Sequence, residues 1–127
     1  MRKIESLDAI NIPANYKSYI TKYLRNISTT PFISRVMLFG SCARENVQKY
    51  SDIDMFITTN REITEDEEAL ITYECIPDYS TETIPTDIIV QTEINFSKYV
   101  NSFGMVQKQV YKEGVDISGL LHQRARN

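Results

Sequence analysis

The chain has 127 residues, of which 42% are hydrophobic and 24% are charged, with 14 Lys and Arg against 17 Asp and Glu. This length fits one domain over residues 1–127. The net charge of −3 argues against broad polyanion binding, so we expect no direct contact with nucleic acid. No apolar run approaches the roughly 20 residues of a membrane span, and the first residues lack the apolar core of a signal peptide. We therefore expect a cytoplasmic protein that does not bind membranes.

The cysteines and the histidine give little indication of chemistry. Cys42 and Cys75 are the only cysteines, and their spacing matches neither a disulfide framework nor a zinc site. His122 is the only histidine and lies close to the C-terminus. We expect two reduced thiols and assign no general-base role to the histidine.

The first predicted elements are a helix and a buried strand. Apolar and aromatic residues recur every three or four positions after Pro13, which predicts an amphipathic helix over residues 14–27. Residues 36–39 form a short apolar run, typical of a strand buried on both faces. Ser41 is then expected to cap a short helix over residues 42–46, whose free backbone N–H groups favour an anion.

Two further predicted strands carry aspartates. Residues 52–58 alternate between the two faces of a strand, which places Asp52 and Asp54 on the same face. The composition of residues 86–91 predicts a third strand, and Asp87 is its second residue. A third carboxylate can therefore join the first two if the two strands are neighbours.

The rest of the chain is predicted to be mainly helical. Thr64 and Glu67 match a capping box at the start of a helix, and Gly114 is typical of a helix end. These signals and the apolar periodicity predict helices over residues 65–74, 95–103 and 104–113, and a short strand over residues 115–117.

The three aspartates and the turn before them have the composition of a metal and phosphate site. Mg²⁺ is usually held by one or two carboxylates together with phosphate oxygens, and two ions about 4 Å apart serve phosphoryl transfer. Gly40 allows close backbone approach, and Ser41 can donate to a phosphate oxygen. An isolated Asp-x-Asp is more often a strand cap or a surface pair than a metal site. Three neighbouring carboxylates repel one another unless a cation lies between them.

These residues resemble the minimal nucleotidyltransferases of the DNA polymerase beta-like nucleotidyltransferase superfamily. That family carries Gly-Ser, ten residues and then Asp-x-Asp, and here ten residues separate Gly40-Ser41 from Asp52-Ile53-Asp54. Further similar features are Leu38-Phe39, Ala43-Arg44, Ser51, Asp87 and the segment Tyr111-Lys-Glu-Gly-Val115. The resemblance covers about residues 15–117, which we take as the core, with a C-terminal tail over residues 118–127.

The resemblance implies an α+β fold, in which helices flank a mixed β-sheet. It also implies transfer of a nucleoside monophosphate, most simply AMP from ATP, with two Mg²⁺ ions and release of pyrophosphate. The site residues that it implies are Asp52, Asp54 and Asp87 as catalytic and metal-binding residues, and Gly40, Ser41 and Arg44 as nucleotide-binding residues.

Minimal members of this family are often encoded beside a small helical RNase toxin of the HEPN type. Some of them act as antitoxins that adenylylate a tyrosine of that toxin. The resemblance therefore implies a HEPN-type partner and a protein hydroxyl as the acceptor, since this chain leaves no room for a separate acceptor domain.

Glu45 departs from the family pattern, because members commonly have glycine after Ala-Arg. A carboxylate near an incoming triphosphate repels it unless the side chain turns outward or pairs with Arg44. This motivates one alternative, an antitoxin that neutralises its partner by contact while its aspartates are vestigial. The other alternative is a nucleotidyltransferase for a small molecule or a nucleic-acid end. The sequence does not specify the nucleotide base, the acceptor or the oligomeric state.

Overall fold

The structure is a computed structural model that describes residues 1–77 and 84–121. The predictions for His122 and for the tail from that residue onward lie outside the described residues. The strands are β1 (Arg2–Lys3), β2 (Ile33–Phe39), β3 (Ile53–Thr59), β4 (Thr86–Thr92) and β5 (Val115–Asp116). The helices are α1 (Ala14–Ile27), α2 (Gly40–Arg44), α3 (Glu65–Ala69), α4 (Glu93–Tyr99) and α5 (Val106–Glu113). A 3₁₀ turn spans Leu7–Ala9, and α3 continues as a π-helical turn over Leu70–Glu74.

The five strands form one mixed sheet in the order β1-β5-β2-β3-β4. Strand β2 is antiparallel to both β3 and β5, whereas β3 pairs with β4 in parallel, as does β1 with β5. The parallel pair requires a crossover, which contains α3. The predicted α+β class with a mixed sheet and flanking helices is confirmed.

The sheet separates two apolar layers. One face carries Ile53, Met55 and Ile57 of β3, which pack with the buried aromatic and aliphatic stripe of α1. The other face carries Met37 and Phe56, which pack with side chains of α4 and α5. Since side chains alternate along a strand, Asp54 projects on the same face as Phe56. The carboxylate of Asp54 therefore lies on the side of the sheet that α5 covers.

Most predicted elements are confirmed in position. Helix α1 has the predicted bounds, and the Thr64–Glu67 capping box is formed. The strands predicted over residues 36–39, 52–58 and 86–91 correspond to β2, β3 and β4. The predicted cap at Ser41 is wrong. Helix α2 starts at Gly40 with Phe39 as its N-cap, so Ser41 lies inside the first turn. The short apolar run before Gly40 does not indicate that the helix begins directly after the strand.

The N-terminal segment packs more closely than the sequence indicated. Strand β1 pairs with β5, and Ile4, Leu7, Ile10 and Ile12 are all buried in the layer that contains α1. The apolar core therefore extends before residue 15. No helix in residues 1–77 and 84–121 is both long and apolar enough to cross a bilayer.

Candidate active site

Where β2 passes directly into α2, the Cα of Gly40 lies against the carboxylate of Asp54. Gly40 has a φ of +68°, in the left-handed region that residues with a Cβ rarely adopt. A Cβ built on Gly40 would lie 2.4 Å from Oδ2 of Asp54. Gly40 is thus required both by its backbone conformation and by the carboxylate that contacts it.

Two of the three aspartates are direct neighbours across the parallel strands. Asp54 of β3 is in register with Asp87 of β4, and such partners project on the same face about 4.8 Å apart. Asp52 lies just before β3 and, like Asp87, is exposed, whereas Asp54 is half-buried. Burial raises the pKa of Asp54 above its ordinary value, and the charges of Asp87 and Asp52 raise it further. The structure therefore brings Asp54 and Asp87 together at one end of the sheet, with Asp52 two residues before Asp54 along the chain.

Arg44 is a cation that acts on Asp54. Its charge lowers the pKa of Asp54, opposing the effect of burial and of the other aspartates. Its guanidinium Nη1 also lies 3.8 Å from Oε2 of Glu113, at the end of α5. Arg44 is thus placed between a catalytic candidate and the exposed carboxylate of Glu113. The sequence placed Glu113 in the family-like segment Tyr111–Val115, but it did not indicate that Glu113 contacts Arg44, 69 residues earlier.

The backbone conformation of Glu45 explains why glycine is common at the position after Ala-Arg in the family. It ends α2 in the left-handed conformation, with φ +59° and ψ +37°, where a glycine has no Cβ strain. Its Oε1 accepts a hydrogen bond of 2.8 Å from the backbone N–H of Asn11 and lies 3.6 Å from Nη1 of Arg2. The carboxylate is therefore bound by the N-terminal segment, and it pairs with Arg2 rather than with Arg44.

A hydroxyl from α1 fixes the loop that leads to Asp52. Tyr16 is buried, and its Oη donates a hydrogen bond of 2.5 Å to the carbonyl of Ser51. Burial raises the pKa of this phenol, with smaller contributions from Cys42 and Asp52, so it remains a donor at neutral pH. A cavity of about 300 Å³ adjoins this loop and is lined by Asn15, Tyr16, Lys49, Tyr50, Ser51, Ile84 and Pro85. The sequence indicated only a core role for Tyr16.

The family comparison agrees with this geometry. The family model described as a nucleotidyltransferase domain matches residues 18–117. The chain belongs to the nucleotidyltransferase family. The match includes all six site residues predicted from the sequence and supports membership of the polymerase beta-like superfamily. A search of curated proteins finds no match to the chain.

Nucleotidyltransferase domains generally use a nucleoside triphosphate and Mg²⁺. Among the described residues, no three His, Cys, Asp or Glu side chains are grouped tightly enough to enclose a metal ion. The donors present are nevertheless carboxylate oxygens, which Mg²⁺ prefers, and their mutual repulsion is the kind that a cation relieves. The residues fit an open magnesium site in which phosphate oxygens and water supply the remaining ligands.

Proposed function

We propose that this nucleotidyltransferase transfers AMP from ATP to a protein hydroxyl, a tyrosine of a HEPN-type RNase toxin, and thereby acts as an antitoxin. The observation that carries the catalytic part is the assembly of Asp54 beside Asp87, next to Asp52 and against the Gly40 turn. This arrangement is costly without a cation, because burial and two like charges all disfavour the charged form of Asp54.

In this proposal Asp52, Asp54 and Asp87 hold two Mg²⁺ ions. The ions, when bound, would neutralise charge on the triphosphate and on the attacking and leaving oxygens. Gly40 keeps the turn close to Asp54, Ser41 donates to a phosphate oxygen, and Arg44 pairs with the triphosphate as a charge-assisted donor. The backbone N–H groups in the first turn of α2 lack helical partners and are available to the same phosphates.

The reaction is a displacement at the α-phosphorus. The acceptor oxygen bonds to the α-phosphorus while the bond from that phosphorus to the bridging oxygen of the β-phosphate breaks, and pyrophosphate leaves. The carboxylate of Asp87 takes the hydroxyl proton. The products are an AMP ester on the acceptor and pyrophosphate.

The exposure of the carboxylates favours a large acceptor. Asp52 and Asp87 are exposed, and Asp87 lies on β4, which ends the sheet. A side chain that protrudes from another protein can therefore approach the metal-binding edge. A phenolic hydroxyl suits this task because it projects its oxygen well beyond the surface that carries it.

The experiment is transfer of label from ATP to a HEPN-type partner in the presence of MgCl₂. We expect label from the α-phosphate on the partner, no label from the γ-phosphate, and loss of transfer in EDTA. The matched variant pair is Asp52→Ala with Asp54→Ala, against Asp66→Ala with Glu68→Ala on the exposed surface of α3. Transfer that persists in the first pair, or the absence of transfer from the native chain, would overturn the proposal.

The non-catalytic alternative makes the opposite prediction for rescue of growth. Its motivation was the repulsive effect of Glu45, but that carboxylate is bound by Asn11 and Arg2. This favours the catalytic proposal. Asp54→Ala should abolish rescue of cells that express the toxin if AMP transfer is the mechanism, and should leave rescue intact if contact alone neutralises the toxin.

A further inference from the structure

A groove lies along α5, beside the candidate active site. Its volume is about 480 Å³, and its lining includes Phe103, Met105, Val106, Lys108, Lys112 and Glu113. Phe103 is 95% exposed and Met105 is 39% exposed. We call this surface the Phe103 groove. An aromatic side chain with almost no contact area is unusual on a soluble surface and is typical of an anchor for a partner.

The loop that carries Phe103 is held by its own backbone. The N–H of Ser102 donates to the carbonyl of Tyr99 at 3.0 Å, and the N–H of Met105 donates to the carbonyl of Ser102 at 3.2 Å. Gly104 has a φ of +79°, the value expected for the third residue of a type II turn. Phe103 is therefore presented outward by an ordered turn, so little backbone order has to be gained when a partner binds.

The charges of the Phe103 groove differ from those of the whole chain. Nζ of Lys108 lies 5.8 Å from the centre of the Phe103 ring, and Lys112 lines the same surface. The carboxylate of Glu113 is paired with Arg44, which leaves the two lysines to set the local potential. A chain of net charge −3 thus presents a positive groove with an apolar end. Its complement is an acidic segment that carries an apolar side chain.

The groove leads toward the carboxylates. Helix α5 has eight residues, about 12 Å, with Phe103 before its start and Glu113 at its end. Glu113 contacts Arg44, whose charge acts on Asp54. An extended peptide of about four residues covers the same distance. A segment anchored at Phe103 can therefore reach Glu113 and Arg44, at the margin of the candidate site.

We propose that the Phe103 groove binds an acidic segment of the protein that accepts the nucleotide, with an apolar side chain on Phe103 and carboxylates on Lys108 and Lys112. This proposal rests on the proposed function, because it names the docking surface for the same acceptor.

The probe is a fluorescently labelled random copolymer of glutamate and tyrosine, with a lysine–tyrosine copolymer as the charge control. Binding to the full chain is measured by anisotropy without nucleotide, so the result does not depend on catalysis. We expect the glutamate copolymer to bind and the lysine copolymer not to bind. Lys108→Glu with Lys112→Glu should weaken binding about tenfold or more, and Phe103→Ala should weaken it severalfold.

The matched control is Lys22→Glu with Lys98→Glu, which changes the net charge equally but at exposed positions on α1 and α4. It should bind the glutamate copolymer within about twofold of the native chain. The proposal is overturned if both double variants lose binding equally, if Phe103→Ala and the groove double variant both bind normally, or if MgATP displaces the copolymer, which would make the groove a nucleotide site.

A second measurement separates the two proposals. With labelled ATP and MgCl₂, the groove variants should raise KM for the glutamate copolymer and leave KM for ATP unchanged. Normal copolymer binding without any label transfer, to the copolymer or to a HEPN-type partner, would contradict the proposed function and leave the groove assignment standing. Label transfer with equal KM in the native chain and both groove variants would contradict the groove assignment alone.

Discussion

The carboxylate of Asp54 lies against the Cα of Gly40, with Oδ2 only 2.4 Å from the place that a Cβ would occupy. Gly40→Ala should therefore lower the free energy of unfolding by about 1 kcal/mol for left-handed strain and by roughly 1–3 kcal/mol more for overpacking. Activity should be lost because Asp54 has to move.

Gly104→Ala is the matched control for the effect of that substitution on stability, measured by urea unfolding. Gly104 has a similar φ, but nothing lies within 4 Å of a Cβ built there. Gly104→Ala should lower the free energy of unfolding only by the strain component, about 1 kcal/mol. Equal destabilisation by the two substitutions would show that the contact with Asp54 is unimportant.

Asp54→Asn should uncouple stability from activity. Burial, Asp87 and Asp52 all disfavour a charge at this position, so the neutral amide should raise the urea midpoint at pH 7 in EDTA. MgCl₂ should raise the midpoint of the native chain by binding to its folded state, but should raise that of the variant much less. AMP transfer by the variant should fall by at least about a hundredfold. A variant that is less stable than the native chain in EDTA would contradict the electrostatic argument.

Arg44 and Glu113 should have opposite effects on the affinity for ATP. Arg44→Ala removes the charge-assisted donor proposed for the triphosphate, so Kd for MgATP should rise about tenfold or more. Glu113→Gln frees Arg44 from its partner at 3.8 Å and should lower that Kd slightly. Calorimetric titration with a non-hydrolysable ATP analogue tests both. An unchanged Kd in Arg44→Ala would restrict Arg44 to a structural pair with Glu113.

Glu45 should affect stability rather than nucleotide binding. Glu45→Ala retains the left-handed strain and removes the acceptor for the N–H of Asn11, so it should lower the free energy of unfolding by about 1–2 kcal/mol. Glu45→Gln keeps an acceptor and loses only the exposed pair with Arg2, a change of about 0–1 kcal/mol. The Kd for MgATP should stay within about twofold in both variants. A large gain in affinity in either one would place the carboxylate near the triphosphate.

Cys42 should be unreactive in the folded protein. Burial and the charge of Asp54 raise the pKa of its thiol to about 11, and the side chain is fully buried. Alkylation of native protein at pH 8, followed by mass spectrometry, should be at least roughly a hundredfold slower at Cys42 than in urea. A Cys75→Ser background removes the second thiol. Rapid labelling of native Cys42 would mean that α2 opens often.

Local sequence patterns predicted most of the secondary structure because they depend on neighbours along the chain. The stripe of α1, the capping box at Thr64 and the alternation in β3 each follow from contacts within a few residues. The cap assigned to Ser41 was wrong because the helix begins two residues earlier than predicted, at Gly40, whose φ is one that only glycine adopts easily.

The sequence by itself determined the family and most of the secondary structure, since motif spacing and local periodicity are properties of the chain. The tertiary structure alone decided that Asp54 and Asp87 are in register, that Glu113 pairs with Arg44, and that Asn11 and Arg2 bind Glu45. These contacts join residues 33 to 69 positions apart. They depend on strand order and helix packing, which no local pattern of charge or hydrophobicity specifies.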